Sequence, residues 1–322
     1  MGLLVALALL SGCSPEGREA SDADLRVALL TPGSIRDGGW NQGAYEGLLA
    51  IRDQLGAEVA HQETHTPQDF ESGFRDFAAR GYQLVFGHGF EFQDAASKVA
   101  EEFPDTVFVT TSGSTIRPNV APIVFELEQA TYVLGYVGAR VSRHAHVGAI
   151  GGMQIPPVES TFTAFEAGAR AARPDVRLAT SYLGSWEDVS AAREATLAQI
   201  AQGVDVLIHN VDDAAPGFFQ AVAESSEVFA FGTNRNQNGR APDSVLASGT
   251  LDIPRALLLV AREVESGQFR ARSIRFGLRE GVVAIEWNEA LQSRIPEPVR
   301  AEADALAERI RSGELEVPRA GF

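Results

Sequence analysis

The chain has 322 residues, 45% hydrophobic and 22% charged, with a formal net charge of −16 and one cysteine. That length exceeds one ordinary hydrophobic core and fits two lobes of a globular protein. The charge argues against nucleic acid, whose phosphates need a basic face, and the single cysteine excludes a disulfide framework.

Gly2 to Leu10 is an apolar run too short to span a bilayer, and it stops at Leu10-Ser11-Gly12-Cys13. This is the pattern of a secretory leader. The tetrad matches the bacterial lipoprotein signal, in which a small residue and Gly precede a Cys that is acylated and becomes the new N-terminus. Cys13 is therefore the expected lipidation site, with residues 1–24 as signal and tether and the protein held at a membrane on its outer or periplasmic side. No Lys or Arg precedes the run, where a leader ordinarily carries one.

From Arg26 the chain alternates strand and helix. Arg26 to Thr31 reads as a buried strand, and Pro32 to Gly39 as a polar loop. Trp40, Ala44, Leu48, Ile51 and Leu55 then recur at helical spacing, with Asp37 placed to cap the helix. Strand, loop and helix open a βαβ unit, whose ligand site lies beyond the carboxyl end of the strand. Trp40 and Asn41 stand there, with packing of the first helical turn as the competing role for Trp40. Ala57–Glu63 follows as a strand and Pro67–Arg80 as a helix with Phe70, Phe74 and Phe77 on one face. Tyr82–Phe86 is a buried strand emptying into Gly87-His88-Gly89-Phe90, where glycines admit close backbone approach and the aromatic can cover a ligand. A helix over Glu91–Phe103 and strands over Thr106–Thr110 and Asn119–Phe125 complete the first run.

The pattern then restarts. Leu127–Val141 reads as a helix, His146–Ile150 as a strand and Gly152 onward as a helix through Arg170. Val176–Tyr182 is a strand ending in Leu183-Gly184-Ser185-Trp186, and Glu187–Gln202 is a helix. Asp205–His209 empties into Asn210-Val-Asp212-Asp213, Val228–Phe231 into Gly232-Thr-Asn234, and Ser244–Ser248 is a last strand, with a further helix over Asn288–Ser312. Strands alternating with helices imply parallel, doubly wound sheets. If the two crevices face each other, Trp40, Asn41 and Phe90 meet Trp186, Asp212 and Asn234.

Enzyme chemistry finds little support. Lys98, the only lysine, lies in a helical run and not after a glycine loop, and there is no Gly-x-Ser-x-Gly elbow. His61, Glu63 and His65 fall on strand and loop, without the helical i, i+4 geometry of a zinc pair. His144 and His146 read as solvated loop residues. No cofactor and no metal site is expected.

The residues also carry a resemblance. Asp37-Gly-Gly-Trp40-Asn41, Gly87-His-Gly-Phe90, Glu128-Gln-Ala-Thr-Tyr132-Val-Leu-Gly135, Ile150-Gly-Gly152, Phe165-Glu-Ala-Gly168, Tyr182-Leu-Gly-Ser-Trp186-Glu-Asp188, Gly203-Val-Asp205-Val and Ser312-Gly-Glu-Leu-Glu-Val-Pro318 occur in an order and spacing that resembles the basic membrane protein family of substrate-binding lipoproteins, which includes purine-nucleoside receptors of ABC importers. The resemblance implies a type I periplasmic-binding fold: two doubly wound parallel-sheet lobes joined by a three-strand hinge. The expected division is 25–125 with 250–277 in lobe 1, and 126–249 with 278–322 in lobe 2. It further implies a planar heterocycle stacked between Trp40 and Trp186, with Asn41 and Asp212 at its edge, and Gly89, Phe90 and Asn234 completing the site. A monomer delivering its ligand to ABC permease subunits is expected, and a sensor presenting it to a membrane receptor kinase is the alternative. Two positions depart from nucleoside binders of the family: Pro32 stands where an acid follows the first strand, and Gly249-Thr-Leu-Asp252 stands where a lysine follows the last.

Overall fold

The computed structural model describes residues 25–320, so Cys13 and the tether lie outside the described residues. In chain order the first lobe contains β1 (Arg26–Thr31), α1 (Trp40–Leu55), β2 (Glu58–Glu63), α2 (Pro67–Ala79), β3 (Leu84–Gly87), α3 (Gln93–Ala100), β4 (Val107–Thr111) and β5 (Val120–Phe125). The second contains α4 (Glu128–Val141), β6 (His146–Gly151), α5 (Pro156–Ala172), β7 (Arg177–Tyr182), α6 (Val189–Ala201), β8 (Val206–Asn210), α7 (Ala215–Ala223), β9 (Phe229–Asn234) and β10 (Val245–Leu251). The chain then returns for α8 (Ile253–Glu265) and β11 (Ile274–Phe276), and crosses back for β12 (Val283–Trp287) and α9 (Glu297–Ser312).

Each lobe is built on a six-stranded sheet, ordered β2-β1-β3-β4-β5-β11 in the first and β7-β6-β8-β9-β10-β12 in the second. Every pairing is parallel except β10 with β12. Helices cover both faces of each sheet, as parallel strands require, and alternation within β1 shows it. Val27 and Leu29 face the layer holding α1, while Ala28 and Leu30 face the phenylalanines Phe70, Phe74 and Phe77 of α2. Thr66 caps α2 with a reciprocal Thr66–Asp69 capping box.

The expected fold class is the one observed, and the differences have local causes. The chain crosses between sheets at 126–127, 252 and 277–282. The second crossing follows Leu251 because β10 stays paired with β12 to that residue. The expected helix over Asn288–Ser312 is a 3-10 segment, Glu289–Arg294, and then α9. Pro296 separates them, since proline disfavours helix at the residue before it. α9 belongs to the second lobe, where Tyr136 of α4 donates to Glu302 at 2.8 Å. His146 is not a solvated loop residue but the buried first residue of β6. Two helices, α7 and α8, and the strands β11 and β12 were not expected as such. Among the described residues no helix is long and apolar enough to cross a membrane.

α4 and α5 touch backbone to backbone. A Cβ on Gly135 would fall 1.9 Å from the carbonyl oxygen of Phe165, and one on Gly168 would fall 1.8 Å from that of Tyr132. Only glycine at both positions permits this approach. α4 begins at the first crossing and α5 begins at the wall between the lobes, so the contact ties that wall to the crossing.

Candidate functional site

The strand ends of both lobes open into one cavity of about 120 Å³. On the same measure a water needs roughly 10–15 Å³, so the space suits a small organic molecule. Trp40, Asn41, Gly89, Phe90, Trp186, Asp212 and Asn234 all line it. Position at strand ends carried these residues into the expectation. The sequence reading missed the apolar floor, which comes from Phe125, Leu127 and Leu251 at the crossings and from Ile155, Pro157 and Val158 at the start of α5.

On the first lobe, Asp37 sets the geometry. Its carboxylate accepts from the backbone N–H groups of Gly39 at 2.9 Å, Asn41 at 2.6 Å and Gln42 at 2.9 Å, which satisfies donors left open at the start of α1. That fixes Trp40 and Asn41 at the head of the helix. The indole of Trp40 is backed by the buried ring of His88 and meets Phe125 edge-on, with centroids 5.7 Å apart. His88 Nε2–H donates to the Trp40 carbonyl at 3.0 Å, so Nδ1 is an acceptor and takes the Thr111 hydroxyl at 3.1 Å. Burial pushes the His88 pKa down to about 3, and the ring is neutral. Asn41 is 7% exposed and its Oδ1 has no hydrogen-bond partner.

On the second lobe, Trp186 follows the left-handed Gly184. Ser185 Oγ accepts from the N–H of Glu187 and Asp188, and the Trp186 carbonyl accepts from Ala214 N–H at 2.8 Å. A Cβ on Gly152 would lie 2.2 Å from Cε3 of the indole, so the glycine backbone is the ring's support. Asn234 Nδ2 donates to Asp212 Oδ1 at 3.3 Å. Burial first, and then the nearby carboxylates of Asp37, Asp213 and Glu91, push the Asp212 pKa up to about 7.

Backbone strain gathers here. Among the described residues five that are not glycine have positive φ, and Ser112, Asp212 and Asn234 of these line the cavity. Such conformations cost about 1–3 kcal/mol each and persist where surrounding structure enforces them, a hallmark of ligand clamps. Across the cleft, Arg235 of the second lobe reaches Glu46 of α1 at 3.3 Å.

Two departures noted in the sequence now have places. Pro32 and Leu251 are both in the cavity wall, and neither side chain can pair with a hydroxyl. The His61 ring bonds the Thr31 hydroxyl at 2.9 Å.

Residues 25–319 match the family described as Bmp, ABC transporter substrate-binding protein, PnrA-like. The chain belongs to this family. Its Bmp relatives include "Basic membrane protein A2" of Borrelia garinii subsp. bavariensis, 26% identical over 313 residues, with 95% of this chain and 91% of the relative covered. A "Purine-binding protein" of Brucella abortus is 27% identical over 314 residues, covering 97% of this chain and 88% of the relative. Among solved structures, a solute-binding protein of an ABC transporter system from Aeropyrum pernix superposes with a TM-score of 0.82 at 22% identity, covering 92% of this chain and 94% of that one. The Bmp fold is thus that of type I periplasmic solute-binding proteins.

Proposed function

We propose that this protein captures a purine base between its lobes and delivers it to the permease of an ABC importer, anchored to the membrane through Cys13. The observation that carries the ligand class is the cavity wall itself: two indoles from opposite lobes, with an unpartnered Asn41 Oδ1 and the Asp212 carboxyl beside them. Flat apolar faces with hydrogen-bond acceptors at the edge suit a planar ring bearing N–H donors. The purine-binding relative supports the choice of heterocycle. Capture works by hinge closure, in which the ligand settles on one lobe and the second brings its tryptophan and polar edge into place.

The free base binds more tightly than its nucleoside. A ribose hydroxyl enclosed against Pro32 or Leu251 would lose water without gaining a partner from either side chain, at a cost of about 1–3 kcal/mol. A thermal-shift screen of adenine, guanine and hypoxanthine beside their nucleosides and flavins tests the reading, with mass spectrometry of whatever co-purifies. The bases are expected to give the largest shifts. Larger shifts with adenosine, guanosine or inosine restore the nucleoside as ligand, and none with any planar ring removes the heterocycle.

A further inference from the structure

Four carboxyl side chains line the main cavity, Glu91 from the first lobe and Glu187, Asp212 and Asp213 from the second. Among the described residues its wall holds no lysine, arginine or histidine. A side chain on Gly89 would collide with the Glu91 carboxylate, so that acid lies over a glycine which itself lines the cavity. Of the basic side chains around the cleft, Arg235 is paired with Glu46, and Arg36 and Arg240 are exposed on the adjoining chamber that Asp212 and Asp213 also border. The acids therefore act on one another. Burial first, and then Asp37 and Glu187, push the Asp213 carboxyl up, and burial with Asp37, Asp213 and Glu91 does the same to Asp212.

Trp40 and Trp186 stand in the same wall. An indole face attracts a cation through its ring quadrupole, the more strongly where water is excluded, and a cleft lined by charges of one sign focuses their field on whatever it encloses. Asn41, which is 7% exposed, adds an Oδ1 with no hydrogen-bond partner. A neutral ring would stack here yet gain little from the net charge of the acids, and an anion would be repelled. A metal ion is no better match, since among the described residues no three acids or histidines stand close enough together to hold one. Dispersed carboxylates suit a charge that is itself spread over a ring. We propose that the ligand is a ring cation, a purinium alkylated on its ring nitrogens or a heterocycle of like charge and shape, stacked between Trp40 and Trp186 with its charge balanced by Glu91, Glu187, Asp212 and Asp213. This rests on the heterocycle reading above and adds a charge to it.

Isothermal titration at pH 8 tests the charge with adenines dimethylated on ring nitrogens to give fixed cations, each beside the neutral isostere in which carbon replaces one methylated nitrogen. For at least one such pair the cation is expected to bind about tenfold more tightly than its isostere. That preference should shrink in the unmutated protein as sodium chloride rises from about 20 mM to about 500 mM, because salt screens the carboxylates and leaves stacking untouched. Glu187→Gln together with Asp213→Asn should reduce the ratio of the two affinities to about threefold or less. Both ligands are measured on the same variant, so a folding defect cancels from the ratio. Choline, a cation with no ring, should bind about tenfold more weakly than the best ring cation. Equal affinity of cation and isostere in every pair, a preference unmoved by salt or by the double substitution, or choline binding as tightly as the ring cations overturns the charge, while binding of neutral adenine keeps the heterocycle. Failure of every ring to bind, charged or neutral, overturns both.

Discussion

The indole of Trp40 lies flat against the imidazole of His88, with ring centroids 4.1 Å apart and planes inclined by 24°. One face of the tryptophan is therefore already used, and a ligand can stack on the other alone. Because His88 is neutral, the pair is two polarisable rings in contact and has no cationic partner to titrate. Trp186 is similarly backed on one side by Gly152.

Replacing Trp40 or Trp186 by Ala is expected to weaken binding more than tenfold with both lobes still folded. A stacked aromatic face contributes about 1–3 kcal/mol, and about 1.4 kcal/mol is tenfold in affinity. A tryptophan acting only as packing would instead cost about 3–5 kcal/mol of stability on truncation. Calorimetric titration and thermal melts of both variants separate the two, and lost stability with retained affinity would assign the indoles to the core.

Asn41→Leu should bind poorly yet fold at least as well as the unmutated protein. The buried Oδ1 has no hydrogen-bond partner within the protein, and an unmet acceptor costs about 1–3 kcal/mol, which an apolar side chain of similar size removes. Melting temperatures without ligand are expected to be equal or higher, while affinity falls at least tenfold. A variant that melts earlier and binds normally contradicts this assignment.

The Asp212 carboxyl titrates near 7 in the folded protein and near about 3.9 in an unfolded chain. Raised in the fold, it contributes stability that is fully present below about pH 4 and is lost as pH rises through 7, on the order of 2–4 kcal/mol. Denaturant titrations from pH 4 to 8 should therefore show the unmutated protein losing stability relative to Asp212→Asn as pH rises, while His88 and His209, held neutral by burial with pKa values of about 3 and about 4, act in the opposite direction below about pH 6.5 in both proteins. Glu128, a buried carboxyl also pushed up to about 7 by burial, adds to the loss on rising pH in both proteins. Ligand binding runs the other way: an N–H donor favours the carboxylate, so affinity should rise from pH 6 to 8 with release of a proton. Calorimetry in buffers of different ionisation enthalpy measures that proton, and uptake in place of release would mean that the protonated acid donates to the ligand.

Cys13 is expected to be the acylated N-terminus of the mature protein. Mass spectrometry of detergent-extracted protein should find a lipid-modified cysteine there, and Cys13→Ser should release the protein from the membrane fraction. An unmodified Cys13 or a mature chain beginning elsewhere contradicts it.

Much of the architecture was legible because strands buried on both faces and amphipathic helices leave different periods in a sequence. The phenylalanine face of α2 and the cap supplied by Asp37 could be read directly. α7 could not, since Ala215, Phe218, Phe219 and Val222 bury most of its circumference and no polar stripe marks it. α8 carried a signal that went unused: Asp252 accepts from Arg255 N–H at 3.0 Å, with Pro254 in the first turn. Three residues of β11 are too few to show alternation. In the cavity, residue type and place at a strand end were enough to gather seven positions. The bare acceptor on Asn41, and the left-handed backbone of Asp212 and Asn234, depend on tertiary neighbours, and nothing local in the sequence announces them.

The three crossings also set an order of assembly. α8 packs on α1 of the first lobe, where Gly43 and Gly47 leave room for Ile253 and Leu257. Yet α8 and β11 are made after every strand of the second lobe except β12. A chain emerging N-terminus first therefore completes most of lobe 2 while lobe 1 still lacks a covering helix and an edge strand. Fragments ending before Ile253 should expose the apolar face of α1 and unpaired β5, surfaces prone to aggregation. Synthesis thus leaves the first-made lobe to be finished late.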